Sequence, residues 1–420
     1  MELSADWIAA QNAPLLGRLD ADLVYLVDRL GVDAVVEEVR RFSVAAPSWA
    51  LGTGGTRFGR FPSGGEPRST EEKVDDVAAL NTLTGANRSI SLHVPWDSPS
   101  DPAGLREYAR ARGLAFDAMN SNTFQDNPST TEDGKVSYKF GSLSHTDPAV
   151  RRAAIEHNLA CIELGVGLGS HALTVWLPDG TNHPGQQGLR AQFERVCESV
   201  REIHGGLPSD WILLCEYKPY EPAFYATVVN DWGTALLLAQ NTGERARVLV
   251  DLGHHLPHTN VEQIVSRLAM IGRLGGFHFN DSRYGDDDLT AGSVEPFRLF
   301  SVFSELVGAS ALDLAFMIDA SHNVKDPLED LIQSTEALQI ALAQALCVDT
   351  DALREAQERN DAAEAQQIVQ RAFRTDVRPL VAEARRRNGA CIAPLAAYRA
   401  SGYRAAAVAE RGEGSAATGL

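Results

Sequence analysis

The chain has 420 residues, 56 acidic and 38 basic, and a formal net charge of −18 at pH 7. Such an acidic surface repels phosphate backbones and argues against nucleic acid as a partner. With 44% hydrophobic and 22% charged residues the chain reads as globular, and no apolar run reaches the roughly 18–20 residues of a membrane span, so no membrane partner is expected.

In chain order, residues 1–45 read as an N-terminal helical segment of one or two helices. The opening MELSADWIAAQ carries acidic residues where a secretory signal carries Lys or Arg. Eight short apolar segments of strand length follow: Trp49–Leu51, Ile90–Val94, Ala115–Ala118, Ala172–Trp176, Ile212–Cys215, Val248–Val250, Gly276–Phe279 and Ala315–Ile318. Helical periods lie between them, with readable starts. Ser69 and Glu72 fit a capping box. Asp101, Asp147 and Asp326 each precede a proline at a first helical position. Asn260 and Ser293 are further cap candidates. Strand alternating with helix eight times predicts a (β/α)8 TIM barrel over residues 46–340, with an open doubly wound sheet as the alternative. Residues 341–420, rich in Ala, Glu, Arg and Gln, read as a C-terminal helical extension. Cys161, Cys197, Cys215, Cys347 and Cys391 are odd in number and form no CxxC pair, which suits the reduced thiols of a cytoplasmic protein.

Acids and histidines collect just after the later strands. Strand five runs into Glu216 and Lys218, strand six into Asp251 and His254, strand seven carries His278 and leads to Asp286 and Asp288, and strand eight runs into Asp319. Barrel strands converge at their C-terminal ends, so four consecutive strands deliver Glu216, Asp251, His278 and Asp319 to one face. Carboxylates gathered there repel one another unless a cation neutralises them. The oxygen and imidazole set suits Mn²⁺ first, with Co²⁺, Mg²⁺ or Zn²⁺ also acceptable. These are too many ligands for one ion. His254, Asp286 and Asp288 can serve a second, with Asp251 shared. Lys218 supplies a fixed cation or donor beside a substrate oxygen.

Earlier strand ends add a second tier. The glycine-rich Gly52–Phe58 has no GK[ST] ending and suits a lid better than a phosphate cradle. His93, Trp96, Trp49 and Trp176, with Asn120 and Asn122, are residue types that cover the C–H faces of a sugar and bind its hydroxyls. No GxGxxG follows a first strand and there is no P-loop, so no organic cofactor is expected.

The pattern Glu-x-Lys, Asp-x-x-His, Asp-x-Asp and Asp after strands five to eight resembles the xylose-isomerase-like barrel superfamily. More narrowly, GTGGTRFGRFP, SLHVPWD, CEYKPYEPAFY, VDLGHH, FHFNDSRYGDDDLTAGS, MIDASHN and the C-terminal CIAPLAAYRASGYRAAAVAERG resemble the bacterial L-rhamnose isomerases of the shorter, broad-specificity kind. That resemblance implies two divalent cations per chain. Glu216, Asp251, His278 and Asp319 match the ligands of a structural ion, and His254, Asp286 and Asp288, with Asp251 between, match those of a catalytic one. Lys218 matches the lysine beside the substrate oxygens, and His93, Trp96, Trp49 and Trp176 match sugar-pocket positions. Phe58 matches a residue inserted into a neighbouring subunit's pocket, in a homotetramer to which the C-terminal extension contributes. Arg283 stands where a lysine is common.

The implied activity interconverts L-rhamnose and L-rhamnulose, with L-mannose, L-lyxose and D-allose as related aldoses. The absence of an obvious unliganded base favours a metal-assisted hydride shift between C1 and C2 over a cis-enediol route. By either route a metal-bound water or hydroxide oriented by Asp319 would shuttle protons between O1 and O2, and His93 is the candidate for ring opening. Two rival readings are a sugar 3-epimerase of the same barrel type, which needs two acid–base carboxylates on opposite substrate faces, and a non-catalytic sugar-binding protein, which needs no second cation.

Overall fold

The computed structural model describes residues 3–27, 31–51, 63–126, 136–220, 223–320 and 324–414. Phe58 and the glycine-rich Gly52–Phe58 stretch lie outside the described residues. Eight strand positions form the barrel: β1 (Ala46–Pro47), β2 (Ser89–Ser91, resuming at His93–Val94), β3 (Ala115–Phe116, resuming at Met119–Ser121), β4 (Ala172–Trp176), β5 (Ile212–Glu216), β6 (Ala246–Asp251), β7 (Leu274–Phe279) and β8 (Ala315–Ile318). Each pairs in parallel with the next. The ring closes at Ala45, whose amide donates to the Phe316 carbonyl at 2.8 Å and whose carbonyl accepts from the Ile318 amide at 3.0 Å. Closure disposes of the open-sheet alternative.

One helix follows each strand: Thr70–Thr84, Pro102–Arg110, Pro148–Leu168, Leu189–Gly205, Trp232–Thr242, Val261–Met270, Pro296–Gly308 and Pro327–Leu346. Most of the expected caps form. Ser69, Asp101, Asp147, Asn260 and Asp326 each accept from an amide of the first turn. The Glu72 carboxylate, however, accepts from the Arg68 amide, so the Ser69 box is not reciprocal. Ser293 does not cap. The amides of Val294 and Glu295 donate instead to Asp281 Oδ2, at 2.7 and 2.8 Å, from the loop after β7. A buried carboxylate held by Arg298 is a stronger acceptor than a hydroxyl.

The expected first strand is also displaced. Ser48–Leu51 is a single 3-10 turn, and β1 lies just before it. Trp49 therefore stands at the barrel mouth, past the ladder. Among the described residues three α-helices (Ala5–Asn12, Leu16–Val27 and Val32–Arg41) precede the barrel, where one or two were expected. The C-terminal helices are fastened to the barrel's outer layer by charge. Arg404 pairs with Asp326 at 2.7 Å, and Arg411 and the Tyr403 hydroxyl reach Asp76 at 2.9 and 2.7 Å.

Strand alternation sorts the interior. Tyr217, Val250, Phe277 and Phe316 turn outward into the large core shared with the helices. Ala118, Ala172, Leu214 and Leu249 turn inward and fill the bottom of the barrel. Continuing that inward face by two residues leads from Leu214 to Glu216 and from Leu249 to Asp251. The apolar plug and the polar mouth are one periodic stripe. Among the described residues, no single helix is long and apolar enough to cross a membrane.

Candidate metal centre

The register places the donors. Asp251 pairs across the ladder with His278, and Phe279 with Ile318, so Asp319 follows at the next level. Glu216 pairs with Leu249 on one side and Trp176 on the other. Ligand atoms of Glu216, Asp251, His278 and Asp319 lie within 4.8 Å of one another, and so do those of Asp251, His254 and Asp286. The two groups share Asp251. His278 Nδ1 is 3.1 Å from Glu216 Oε1, 3.7 Å from Asp251 Oδ2 and 3.5 Å from Asp319 Oδ2. His254 Nε2 is 3.0 Å from Asp286 Oδ1, and its Nδ1 is 3.2 Å from Glu216 Oε1. Asp288 lines the same cleft without joining either group at that spacing.

The loop after β7 bends sharply to present these acids. Asp286 and Asp288 both have φ of +46°, a left-handed backbone uncommon for residues with a side chain. Gly285 between Tyr284 and Asp286 has φ of +146°, and a Cβ there would fall 1.3 Å from the Tyr220 hydroxyl oxygen. Lys218, fully buried, ion-pairs with Asp286 Oδ2. Its ammonium also sits 5.2 Å from the centre of the Trp176 ring.

The electrostatics suit a divalent cation. Burial pushes the Asp251 carboxyl well above the usual range, and the charges of Asp319 and Glu216 push it further. Burial, then the Asp288 charge, raises Asp319 to about 7. Burial alone would lower His278, but Glu216 outweighs it and the imidazole rises to about 9. Burial likewise opposes ionisation of Glu216, yet the imidazoles of His278 and His254 hold it below the usual carboxylate range. Without a cation, then, this cluster relieves its repulsion by retaining protons. Asp251 Oδ2 is buried and accepts no hydrogen bond, while Oδ1 accepts from Asn280 Nδ2 at 2.9 Å and the Gly253 amide at 2.7 Å. One oxygen is oriented by the protein and the other is left facing both histidines, as a bridging ligand requires.

The donors open into a cleft. Its wall is aromatic. Trp49 and His93 stand 5.3 Å apart, His93 and Phe124 5.8 Å, and Phe124 and Trp176 4.7 Å, centre to centre. Trp49 Nε1 also donates to Asp319 Oδ1 at 2.9 Å, joining the wall to the cluster. Asn120 lines the cleft, whereas Asn122 and Trp96 do not; Trp96 packs against His93 and Phe124. Phe124 is the wall residue that sequence reasoning missed. Its signal was a ring three residues past the strand end at Ser121.

No family model matches the chain. Over 419 residues it is 53% identical to a probable sugar isomerase of Mesorhizobium japonicum, covering 97% of this chain and 96% of that one. A probable sugar isomerase of Rhizobium meliloti is 53% identical at the same coverage. The chain belongs to this sugar isomerase family. A xylose isomerase of Thermus thermophilus is 25% identical across 58% of this sugar isomerase family member and 64% of its own length. Among solved structures, an L-ribulose 3-epimerase aligns with TM-score 0.54 at 13% identity, covering 76% of this chain and 98% of that one. A D-psicose 3-epimerase aligns with TM-score 0.51 at 13% identity, covering 72% and 97%. At such identities the likeness is one of fold, and that fold is the α/β barrel.

Proposed function

We propose that the chain is a metal-dependent aldose–ketose isomerase that interconverts L-rhamnose and L-rhamnulose and accepts related aldoses such as L-mannose, L-lyxose and D-allose. The observation that carries this reading is the pair of ligand groups sharing Asp251 beneath an aromatic wall. A sugar-binding protein has no need of the second group. Glu216, Asp251, His278 and Asp319 would hold one ion, and Asp251, His254 and Asp286, with Asp288 adjacent, the other; Mn²⁺ fits the donor chemistry best. When bound, the ions supply Lewis acidity toward two neighbouring sugar oxygens.

The chain's own residues do the rest. Trp49, Phe124 and Trp176 cover the sugar's C–H faces and exclude water, so hydrogen passes directly between C1 and C2. Lys218 holds a fixed positive charge behind Asp286, beside the oxygens that gain charge. Asp319, held in place by the Trp49 indole, would orient the water that moves a proton between O1 and O2. His93 moves the proton that opens the sugar ring. From the resemblance we further propose a homotetramer, with Phe58 completing a neighbour's pocket; light scattering on the purified chain measures the assembly.

The deciding experiment strips the protein with EDTA, restores Mn²⁺ and follows ketose formation from a panel of aldoses. Ketose from L-rhamnose at the highest kcat/KM supports the reading. A protein that holds two ions yet converts no aldose overturns it. Ketose substrates in the same assay separate isomerisation from 3-epimerisation by product.

A further inference from the structure

Alternation along β5 and β6 gives each functional segment an inner and an outer side. Glu216 and Lys218 face the mouth, and Tyr217 between them turns outward into the core beneath the helices. After β6, His254 faces the donors, and His255 turns away. The outward pair meets. The Tyr217 hydroxyl lies 2.6 Å from His255 Nε2, with the rings edge to face at 80°. His255 Nδ1 faces the Leu252 carbonyl at 3.4 Å, which places the ring proton there and leaves Nε2 to accept from the hydroxyl.

From this geometry we infer that the Tyr217–His255 hydrogen bond is a positioning contact that sets the second cation group, by locking the segment bearing Lys218 to the segment bearing His254. The inference rests on the two-cation reading above. The ladder ends at Glu216 and Asp251, so it anchors those two and the first group they belong to. Lys218 and His254 lie beyond it. Backbone bonds tie the Lys218 amide to the Val229 carbonyl at 3.0 Å, the His254 amide to the Asp251 carbonyl at 3.3 Å, and the Asp286 amide to the Gly253 carbonyl at 3.0 Å, and none of these joins the Lys218 segment to the His254 segment. The buried Tyr217–His255 bond runs from one segment to the other. Together with the Asp286–Gly253 backbone bond and the 3.2 Å contact of His254 Nδ1 with Glu216, it sets the spacing between Lys218, which pairs with Asp286, and His254, whose Nε2 lies 3.0 Å from that same carboxylate.

The test is calorimetric titration of the EDTA-stripped full chain with Mn²⁺, repeated with Co²⁺ while recording the visible absorption of the bound metal. In Y217F, which deletes only the hydroxyl, the second step, identified as the one that D286N weakens, should loosen about tenfold while the first stays within about twofold. The Co²⁺ band of the second step should change and that of the first should not. H255L should behave as Y217F. H255Q, whose side-chain oxygen can accept the hydroxyl in place of Nε2, should restore the second step. Unchanged titrations in Y217F, loss of both steps alike, or equal loss in H255Q and H255L would each overturn the inference. If Y217F does not fold, the comparison of H255Q with H255L decides it. A wild-type chain that takes up fewer than two ions refutes the two-cation reading itself, a result distinct from two ions bound with no effect of the variants.

Discussion

Behind the His93 wall lies a buried ion pair whose loss should be costly. Lys73, on the first barrel helix, places its ammonium 2.5 Å from Asp97 Oδ1, and the two side chains are only 8% and 1% exposed. Asp97 Oδ2 accepts from the Ser48 hydroxyl and, at 2.9 Å, from the His93 amide. At 2.5 Å the Coulomb attraction is about 7 kcal/mol for an effective dielectric near 20. Desolvation of two buried ions offsets most of it, so the intact pair adds little net stability. K73M removes the attraction and leaves the carboxylate buried, which should cost about 3–5 kcal/mol. D97N strands the ammonium and should cost a similar amount. The double variant K73M/D97N carries no charge and keeps an acceptor for Ser48 and His93, so its cost should be about 1–2 kcal/mol. Urea unfolding followed by tryptophan fluorescence measures all three. If the double variant loses the sum of the single losses, the pair is not coupled and the reasoning fails.

Other consequences are more direct. EDTA should abolish turnover and lower the unfolding temperature, and Mn²⁺ should restore both, because an ion that binds only the folded chain stabilises it. In the cation-free protein Asp319 keeps its proton up to about pH 7 and His278 up to about pH 9, and an ion must displace both. Mn²⁺ affinity should therefore rise with pH through 7 and toward 9, with proton release visible in buffers of different ionisation enthalpy; binding without proton release would contradict this. D286N should weaken the second ion and abolish turnover with an unchanged circular dichroism spectrum. K218M, which removes the partner of Asp286, should lower kcat more than it raises KM. F124A removes a ring from the wall, worth about 0.5–1.5 kcal/mol of stacking, and should raise KM up to about tenfold with a smaller change in kcat; an unchanged KM would place the sugar elsewhere.

The sequence by itself determined which residues stand at the strand ends, because that depends on local properties: a period of two within each strand, a cap before each helix, and acids just beyond the apolar run. Glu216, Asp251, His278 and Asp319 were legible on those grounds, as were the caps Asp101, Asp147 and Asp326. The tertiary structure alone decided what depends on register and on contacts between distant segments. The stagger that pairs Asp251 with His278, but Glu216 with Leu249, determines which donors fall within one ligand group and makes Asp251 common to both groups. It also put Phe124 into the wall and let Asp281 take the place of Ser293 at a helix start. Ring closure through Ala45 and Met317, 272 positions apart, has no local signature either. A strand's inward face follows from its own alternation, but what it meets there depends on how far each neighbour has slid along the barrel.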